Sequence, residues 1–283
     1  MRGKSHFIYL FILLYYSSLI AFGQKDSSLV ILPESRIYPV VFLDPLECQI
    51  MGGSYFLFSP DNKTSLYSTV NLGFSKPILA GRGRRFSWEL NFGTAIFSQF
   101  DLMKKDDGTY LAGLINNDFK LSGDLAIRSE NNLLRLRTFH ISSHLGDDYL
   151  QRHGDTLTND KSVNYEQVDL TYMRMRGNNY LYAGAGYIYT IYVYRERFSF
   201  QAGGLMNFRE TRPVSLFTGL DMKVLEENDF YPDIRTAFGV RFNRRSSPLV
   251  RIWAEYYTGR LPYSTIDYGR INWLGLAMAL ILK

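Results

Sequence analysis

The sequence contains one cysteine, Cys48, and after residues 1–23 it has no apolar run long enough to cross a bilayer as a helix. A single cysteine excludes an intramolecular disulfide and a cysteine metal cluster. The net charge is only +5 and is partly placed in the turn-like segments 81–85 and 244–245. Nucleic-acid binding requires a concentrated basic face, so we expect no nucleic-acid partner.

Residues 1–23 have the pattern of a secretory signal peptide. Two basic residues precede an apolar core at 7–22, and residues 21–23 suit cleavage before Gln24. The alternative is a membrane anchor, but the apolar run is interrupted at residues 15–18 and is shorter than the ~20 residues of a spanning helix. We therefore expect the mature chain to begin at Gln24.

Alternation of apolar and polar residues is the dominant pattern after residue 49. Between 88 and 96, for example, Trp88, Leu90 and Phe92 share one face, whereas Glu89 and Asn91 share the other. Aromatic residues make up 16% of the chain, which fits the aromatic girdles of a membrane barrel and also fits a soluble β-sandwich. Both signs of charge recur on the polar face of successive strands. This favours a narrow lumen filled with ion pairs over a face exposed to bulk water.

The spacing predicts an all-β protein, an antiparallel transmembrane β-barrel of about twelve strands. The expected strands lie near 50–59, 66–76, 84–98, 117–129, 132–144, 162–176, 179–191, 195–208, 213–225, 232–243, 248–258 and 269–282.

The connections predict the orientation of this barrel in the bacterial outer membrane. The expected turns at 129–132, 177–178, 210–212 and 244–247 are short, and the gaps at 99–116, 145–161 and 259–268 are longer. Periplasmic turns are short and outer loops are long in such barrels.

We expect two parts after the signal peptide, namely residues 24–48 as an N-terminal segment and 49–283 as the barrel. The prolines of 24–48 disfavour a central strand, so this segment either covers the periplasmic mouth or enters the lumen.

The stretch 133–146, LLRLRTFHISSHLG, carries the strongest functional signal. Its arginines fall on one face, the predicted lumen face, while His140 and Ser142 fall on the face of the leucines, which should contact lipid. Polar groups on the lipid face are costly and are commonly functional. On the next strand Asn164 and Glu166 also fall on the lipid face. If the strands form a hairpin, Ser142 lies opposite Asn164 and His140 lies opposite Glu166.

This set has the residue types of a serine hydrolase. Serine needs a base in hydrogen-bond contact to act as a nucleophile, and histidine serves this role near neutral pH. Ser142 would attack, His140 would be the base, and Asn164 or Glu166 would orient the imidazole. Ser143, His144 and Gly146 are candidates for oxyanion stabilisation or support.

Two less specific interpretations stay open at this point. The polar residues could form a rim at the level of the lipid headgroups. Asp147 and Asp148 could supply oxygen ligands for calcium, or they could belong to a solvated acidic loop that meets lipopolysaccharide.

The block Arg137 to Leu150, RTFHISSHLGDDYL, followed by Asn164-Tyr165-Glu166, resembles a family of uncharacterised bacterial outer-membrane proteins that is classed only as a domain of unknown function. The resemblance extends over most of the mature chain and implies no activity.

A smaller part of the site resembles two families of barrel lipases. Outer-membrane phospholipase A is a twelve-stranded barrel with His-x-Ser on one strand and Asn on the next, and His140, Ser142 and Asn164 match this pattern. The resemblance implies calcium dependence and a homodimer. Lipid A deacylase has His-x-Ser-Asn and a following Glu. His140, Ser142 and Glu166 match it, but Ser143 stands in place of the Asn.

Two hypotheses about function follow. The first is a hydrolase that cleaves acyl esters of phospholipid or lipid A in the outer leaflet. The second is a non-enzymatic barrel, which would act as a narrow pore, a lipid-binding protein or a structural protein.

Overall fold

The computed structural model describes residues 28–58, 64–104, 109–153, 164–191, 196–208, 213–242, 249–262 and 269–281. Over this part of the chain the strands are β1 (Ser28–Ile31), β2 (Ile50–Phe58), β3 (Thr64–Arg82), β4 (Ser87–Lys104), β5 (Tyr110–Ser129), β6 (Asn132–Leu145), β7 (Asn164–Arg176), β8 (Asn179–Ile191), β9 (Phe198–Phe208), β10 (Val214–Leu225), β11 (Pro232–Phe242), β12 (Leu249–Gly259) and β13 (Ile271–Ile281). A short helix, α1 (Asp147–His153), follows β6, and a 3₁₀ turn spans Glu226–Asn228. The predicted signal peptide lies outside the described residues.

Strands β2 to β13 form a closed antiparallel barrel of twelve strands, in which each strand pairs with its neighbours in sequence and β13 pairs with β2. The all-β barrel predicted from the sequence is therefore confirmed. Alternation identified the strands because a barrel wall has two environments, lipid outside and packed lumen inside, and side chains alternate between them.

The first position in the wall is shared by two strands. Both β1 and β2 run antiparallel to β3, with Ile31 opposite Leu79 and Met51 opposite Asn71. Residues 32–49 leave the wall between them. On this side of β3 the pairing with β2 ends at Asn71 and the pairing with β1 begins at Leu79, where the Leu32 amide also donates to the Ile78 carbonyl at 3.0 Å.

Strand β3 is longer than the predicted 66–76, because it continues through Pro77 to Arg82. Its register with β4 shifts between Pro77 and Leu79. Proline has no N–H for the ladder and is tolerated at bulges and unpaired edges. Pro77 lies at such a bulge, beside the gap between β1 and β2, so it does not end the strand.

The outer surface of the barrel is apolar. Exposed residues on it include Leu72, Phe74, Phe92, Phe119, Leu121, Leu170, Leu181, Phe238, Leu274 and Leu276. Such a surface around a closed barrel requires a lipid environment, and closed antiparallel barrels of this kind are those of the bacterial outer membrane. The outer membrane is therefore the location of this protein. Among the described residues, no helix has the length and apolar character needed to span a bilayer.

The lumen is filled rather than open. Residues 33–49, here called the plug, place Tyr38, Phe42 and Leu43 in the core of the barrel. Phe42 packs edge-on against Trp253, with ring centroids 4.7 Å apart. Towards the long connections Trp273 stacks on Tyr257 at 4.1 Å, which fills a second layer. The plug and these rings thus pack against inward side chains of the wall.

Ion pairs attach the plug to the wall. Arg135 contacts Glu47 at 2.9 Å, and Arg137 contacts Asp44 at 3.1 Å and Asp169 at 2.7 Å. Burial alone would raise the pKa of Asp44, but the positive charge of Arg137 outweighs this and holds the pKa well below its usual value. Burial would also raise the pKa of Glu47, but the positive charges of Arg135 and Arg137 together outweigh it and lower this pKa. Both plug carboxylates are therefore charged inside the barrel at neutral pH.

Candidate functional site

Strand β6 divides its polar residues between the lumen face and the outer face, as the alternation predicts. Arg135 and Arg137 are buried in the lumen, while Leu134 is exposed on the outside. His140, Ser142 and His144 share the outside face with Leu134 and lie near the end of β6 that leads into the long β6–β7 connection. Two imidazoles and a hydroxyl thus stand on the lipid-facing surface.

The neighbouring strand adds a carboxylate and an amide at the same height. His140 is the register partner of Glu166, and Ser142 is the register partner of Asn164. The Nδ1 atom of His140 lies 3.0 Å from Oε1 of Glu166, with 43% of the His140 side chain and 15% of the Glu166 side chain exposed. A carboxylate on Nδ1 favours the tautomer with a proton on that nitrogen. It leaves Nε2 as the basic atom.

Ser142 is hydrogen-bonded to the imidazole of His144. Its Oγ atom lies 2.9 Å from Nε2 of His144. The His144 ring packs edge-on against Phe119 of β5, with centroids 5.8 Å apart. Ser142 therefore stands between two histidines on its own strand, with His140 on one side and His144 on the other.

A tyrosine that the sequence analysis missed lies beside this set. The hydroxyl of Tyr189 on β8 bonds Oγ of Thr138 at 3.1 Å and so reaches across β7 to β6. The register of β7 and β8 shifts between Glu166 and Gln167, which leaves Tyr189 as the extra residue of a bulge. Thr138 lies two residues before His140 on the same face, so this contact borders the site. Alternation gives the face of Tyr189 but not the bulge.

Two oxygen atoms of the site are buried without a hydrogen-bond partner among the described residues. They are Oε2 of Glu166 and Oδ1 of Asn164. Burial of an acceptor without a donor is unfavourable. This is typical of a site at which a donor from substrate or water completes the hydrogen bonding.

Two of the predicted oxyanion candidates lie elsewhere. Ser143 points into the lumen, where its hydroxyl donates to Asp118. The amide of Gly146 donates to the carbonyl of Ile115 at 2.7 Å. A Cβ atom on Gly146 would collide with the Leu114 carbonyl, so the glycine allows the chain to turn tightly against β5. Of the three candidates, His144 is the one whose side chain is hydrogen-bonded to Ser142.

The predicted calcium ligands Asp147 and Asp148 open helix α1. Oδ2 of Asp148 accepts a hydrogen bond from the Leu114 amide at 2.9 Å. Within the described ranges, no group of three or more His, Cys, Asp and Glu residues lies close enough together to hold a metal ion. The side chains that are described therefore do not form a carboxylate site for calcium, which prefers six to eight oxygen ligands.

The arrangement contains the parts needed to activate a serine. It has a hydroxyl, an imidazole whose Nδ1 is held by a carboxylate, and a second imidazole in contact with the hydroxyl. All of them face outward at the edge of the apolar surface. The group they act on would have to approach from the lipid.

Comparison with known proteins places this barrel in a family. The family model described as "Protein of unknown function (DUF1207)" matches residues 60–280. No curated protein matches the chain.

Solved structures with a similar fold include outer-membrane barrels. The outer membrane phospholipase (OMPLA) dimer of Salmonella typhi, with bound calcium, is 12% identical with a TM-score of 0.51, over 88% of this chain and 94% of that chain. Outer membrane phospholipase A of Escherichia coli is 11% identical with a TM-score of 0.50, over 87% of this chain and 94% of that chain. At these identities the similarity establishes the barrel fold.

Proposed function

The chain belongs to the DUF1207 family, whose description names no activity, and from its own residues we propose that it is a serine hydrolase that cleaves acyl esters of lipids in the outer leaflet. The observation that carries the proposal is the His140–Glu166 hydrogen bond two residues from Ser142 on the lipid-facing surface. A rim that only binds headgroups does not require a carboxylate on Nδ1 of a histidine. A base that takes a serine proton gains from it, because the carboxylate orients the imidazole and stabilises its protonated form.

The reaction follows from the roles of these atoms. Rotation about χ1 of Ser142 turns its hydroxyl from His144 to Nε2 of His140. Oγ of Ser142 then bonds to the ester carbonyl carbon while its proton passes to His140, and Glu166 stabilises the imidazolium that forms. The intermediate collapses, the lysolipid alkoxide leaves with the proton from His140, and the acyl group remains on Ser142. Water, deprotonated by His140, then releases the fatty acid and restores the serine.

His144 has a separate role in this proposal. After Ser142 turns away, Nε2 of His144 faces the place that the hydroxyl has left. With a proton on Nε2, this imidazole donates to the carbonyl oxygen as it becomes negative. Side-chain donors of this kind contribute to oxyanion stabilisation in acyl transfer.

We also propose that the activity depends on calcium and that the protein forms a dimer. The Salmonella phospholipase of similar fold is a dimer with bound calcium. Because the described residues of this chain do not assemble a calcium site, no step above depends on the ion. A comparison of activity with calcium and with a chelator, together with the mass of the protein in detergent, tests both.

The test is fatty-acid release by the refolded barrel from phospholipid and from lipopolysaccharide, with calcium and with chelator. We expect release from at least one lipid by the wild type and loss of release in Ser142→Ala. Ser143→Ala is the matched control, because Ser143 is adjacent but faces the lumen. A folded wild-type barrel that releases no fatty acid from either lipid would contradict the proposal and would favour the non-enzymatic, lipid-binding alternative.

The pore alternative has an observation against it. The plug and the aromatic layer at Trp273 form a packed core inside the lumen. The function supported best is thus chemistry on the outside of the barrel.

A further inference from the structure

Arginines form a continuous arc at the end of the barrel with the short turns. Segments 82–87, 128–132 and 174–178 contain six arginines and one acidic residue, Glu130. Arg82, Arg84, Arg85, Arg174 and Arg176 are exposed, and Arg128 is partly buried.

Hydrogen bonds join the first segment to the second and the second to the third. Oγ of Ser129 donates to the carbonyl of Arg85 at 3.2 Å, which joins the first two. The amide of Met175 donates to the carbonyl of Asn131 at 2.8 Å, which joins the second to the third. The arginines therefore belong to one surface, here called the basic arc.

Apolar and aromatic side chains adjoin the basic arc. In β1, Ile31 is 70% exposed and is followed by exposed Leu32, and this strand pairs with β3 up to Arg82. Trp88 lies over Gly81, where a Cβ atom would collide with the indole ring. It shares the outward face with Phe92, since Glu89 between them is buried in the lumen.

We propose that the basic arc is a binding surface for anionic phospholipids of the inner leaflet. Arginine, exposed aliphatic side chains and tryptophan at one height are the groups that bind phosphate, acyl chain and the interface between them. The short turns of bacterial barrels are periplasmic, which places the arc at the phospholipid leaflet rather than at the lipopolysaccharide leaflet. The basic arc lies at the end of the barrel opposite to the Ser142 site, and lipid binding there does not depend on catalysis.

Trp88 provides the readout, because the other two tryptophans are inside the lumen. Trp253 is 1% exposed and Trp273 is 0% exposed. The full-length barrel is refolded into phosphatidylcholine vesicles that contain either brominated phosphatidylglycerol or the same fraction of brominated phosphatidylcholine. Bromine quenches tryptophan only on close contact, so quenching measures which lipid lies next to Trp88.

We expect stronger quenching by brominated phosphatidylglycerol, with about fivefold local enrichment for each arginine that engages a phosphate. High salt should reduce the preference. The variant Arg82→Gln/Arg85→Gln/Arg174→Gln should lose it, whereas the same three changes to lysine should keep most of it. Arg197→Gln, at the opposite end of the barrel, is the matched control and should behave as the wild type. Heat-modifiable migration in gels verifies that each variant is folded.

Equal quenching by the two brominated lipids in folded wild-type protein would overturn the inference. So would a preference that the glutamine variant retains. If lipopolysaccharide displaces phosphatidylglycerol from Trp88 at equal phosphate, the arc belongs to the outer leaflet and the assignment to phospholipid is wrong.

Discussion

Ser142 lies between two histidines on its own strand and is hydrogen-bonded to His144, and different neighbours contact each histidine. His140 is bonded to a carboxylate on β7, whereas His144 packs on an aromatic ring of β5. A base benefits from the first environment, because the carboxylate stabilises its protonated form. A neutral donor benefits from the second, because an aromatic edge contact adds no charge.

Glu166→Gln tests the first assignment. Glutamine keeps the size of the side chain but removes the charge and favours the wrong imidazole tautomer. We expect a loss of about a hundredfold to ten-thousandfold in kcat for fatty-acid release, with the barrel folded. Glu130→Gln, on an exposed turn, is the matched control and should retain the wild-type kcat. Wild-type activity in Glu166→Gln would show that His140 is not oriented by this carboxylate.

Substitution of His144 tests the second assignment. His144→Leu removes the donor and should lower kcat by about a hundredfold to a thousandfold with KM unchanged. His144→Gln keeps an N–H donor and should lose at most about tenfold. If His144→Gln is instead as inactive as Ser142→Ala, while His140→Gln remains active, the base is His144 and the two roles are exchanged.

At this scale the sequence predicted the faces and the register but not the contacts. Alternation placed His140 and Ser142 outside, and a hairpin of the predicted length paired them with Glu166 and Asn164, as the structure shows. The bond from Ser142 to His144 depends on a side-chain rotamer, which periodicity does not encode. Tyr189 was missed because its position results from a bulge.

At the scale of elements, the plug is the part that depends most on charge. Asp44 and Glu47 compensate Arg135 and Arg137 in the buried interior of the barrel. Removal of Asp44 takes one carboxylate from buried Arg137, which keeps its contacts with Glu47 and Asp169.

Asp44→Asn should weaken the attachment of the plug by about 1.5–3 kcal/mol, the contribution of a hydrogen bond between charged groups. The single thiol reports this, because Cys48 is buried at the end of the plug. We expect faster reaction of Cys48 with a soluble disulfide reagent in Asp44→Asn than in the wild type. Asp229→Asn, in a connection, is the control. An unchanged rate in the Asp44 variant would show that this ion pair contributes little.

Acid should release the plug in the wild type. The pKa values of Asp44 and Glu47 are lower in the folded barrel than in the unfolded chain. Their contribution to stability is therefore complete above the unfolded values near ~4 and is lost as the pH falls towards the folded ones. Cys48 should react slowly and at a constant rate from pH 7 to about pH 5, once corrected for the intrinsic reactivity of a thiol, and faster below about pH 4. A rate that rises between pH 7 and pH 5 would contradict this window.

The sequence predicted the barrel strands but not the path of the plug. The twelve barrel strands follow from alternation, because lipid and lumen impose opposite polarity on neighbouring residues. From the sequence alone, residues 33–49 could either cover the periplasmic mouth or enter the lumen. Its apolar residues have no period, and the arginines that pair with its acidic residues, Arg135 and Arg137, lie far away in sequence.

At the scale of the whole molecule, the barrel has a packed interior, and its candidate site lies on the outer surface. We expect the refolded wild type to give no stable current steps in a planar bilayer, because the plug and the Trp273 layer fill the lumen. A general porin in the same bilayer is the positive control. Reproducible steps from the purified barrel would revive the pore alternative.

The gap in the first wall position has a consequence for reversibility. The plug is held at both ends by the wall, through β1 on one side and β2 on the other. A plug displaced by acid therefore cannot diffuse away, and its return is a unimolecular event at a high effective concentration. After neutralisation, the rate at which the plug returns should consequently be independent of protein concentration. In this respect the plug resembles a loop that closes on its own protein, and it differs from a separate inhibitor that must bind again from solution.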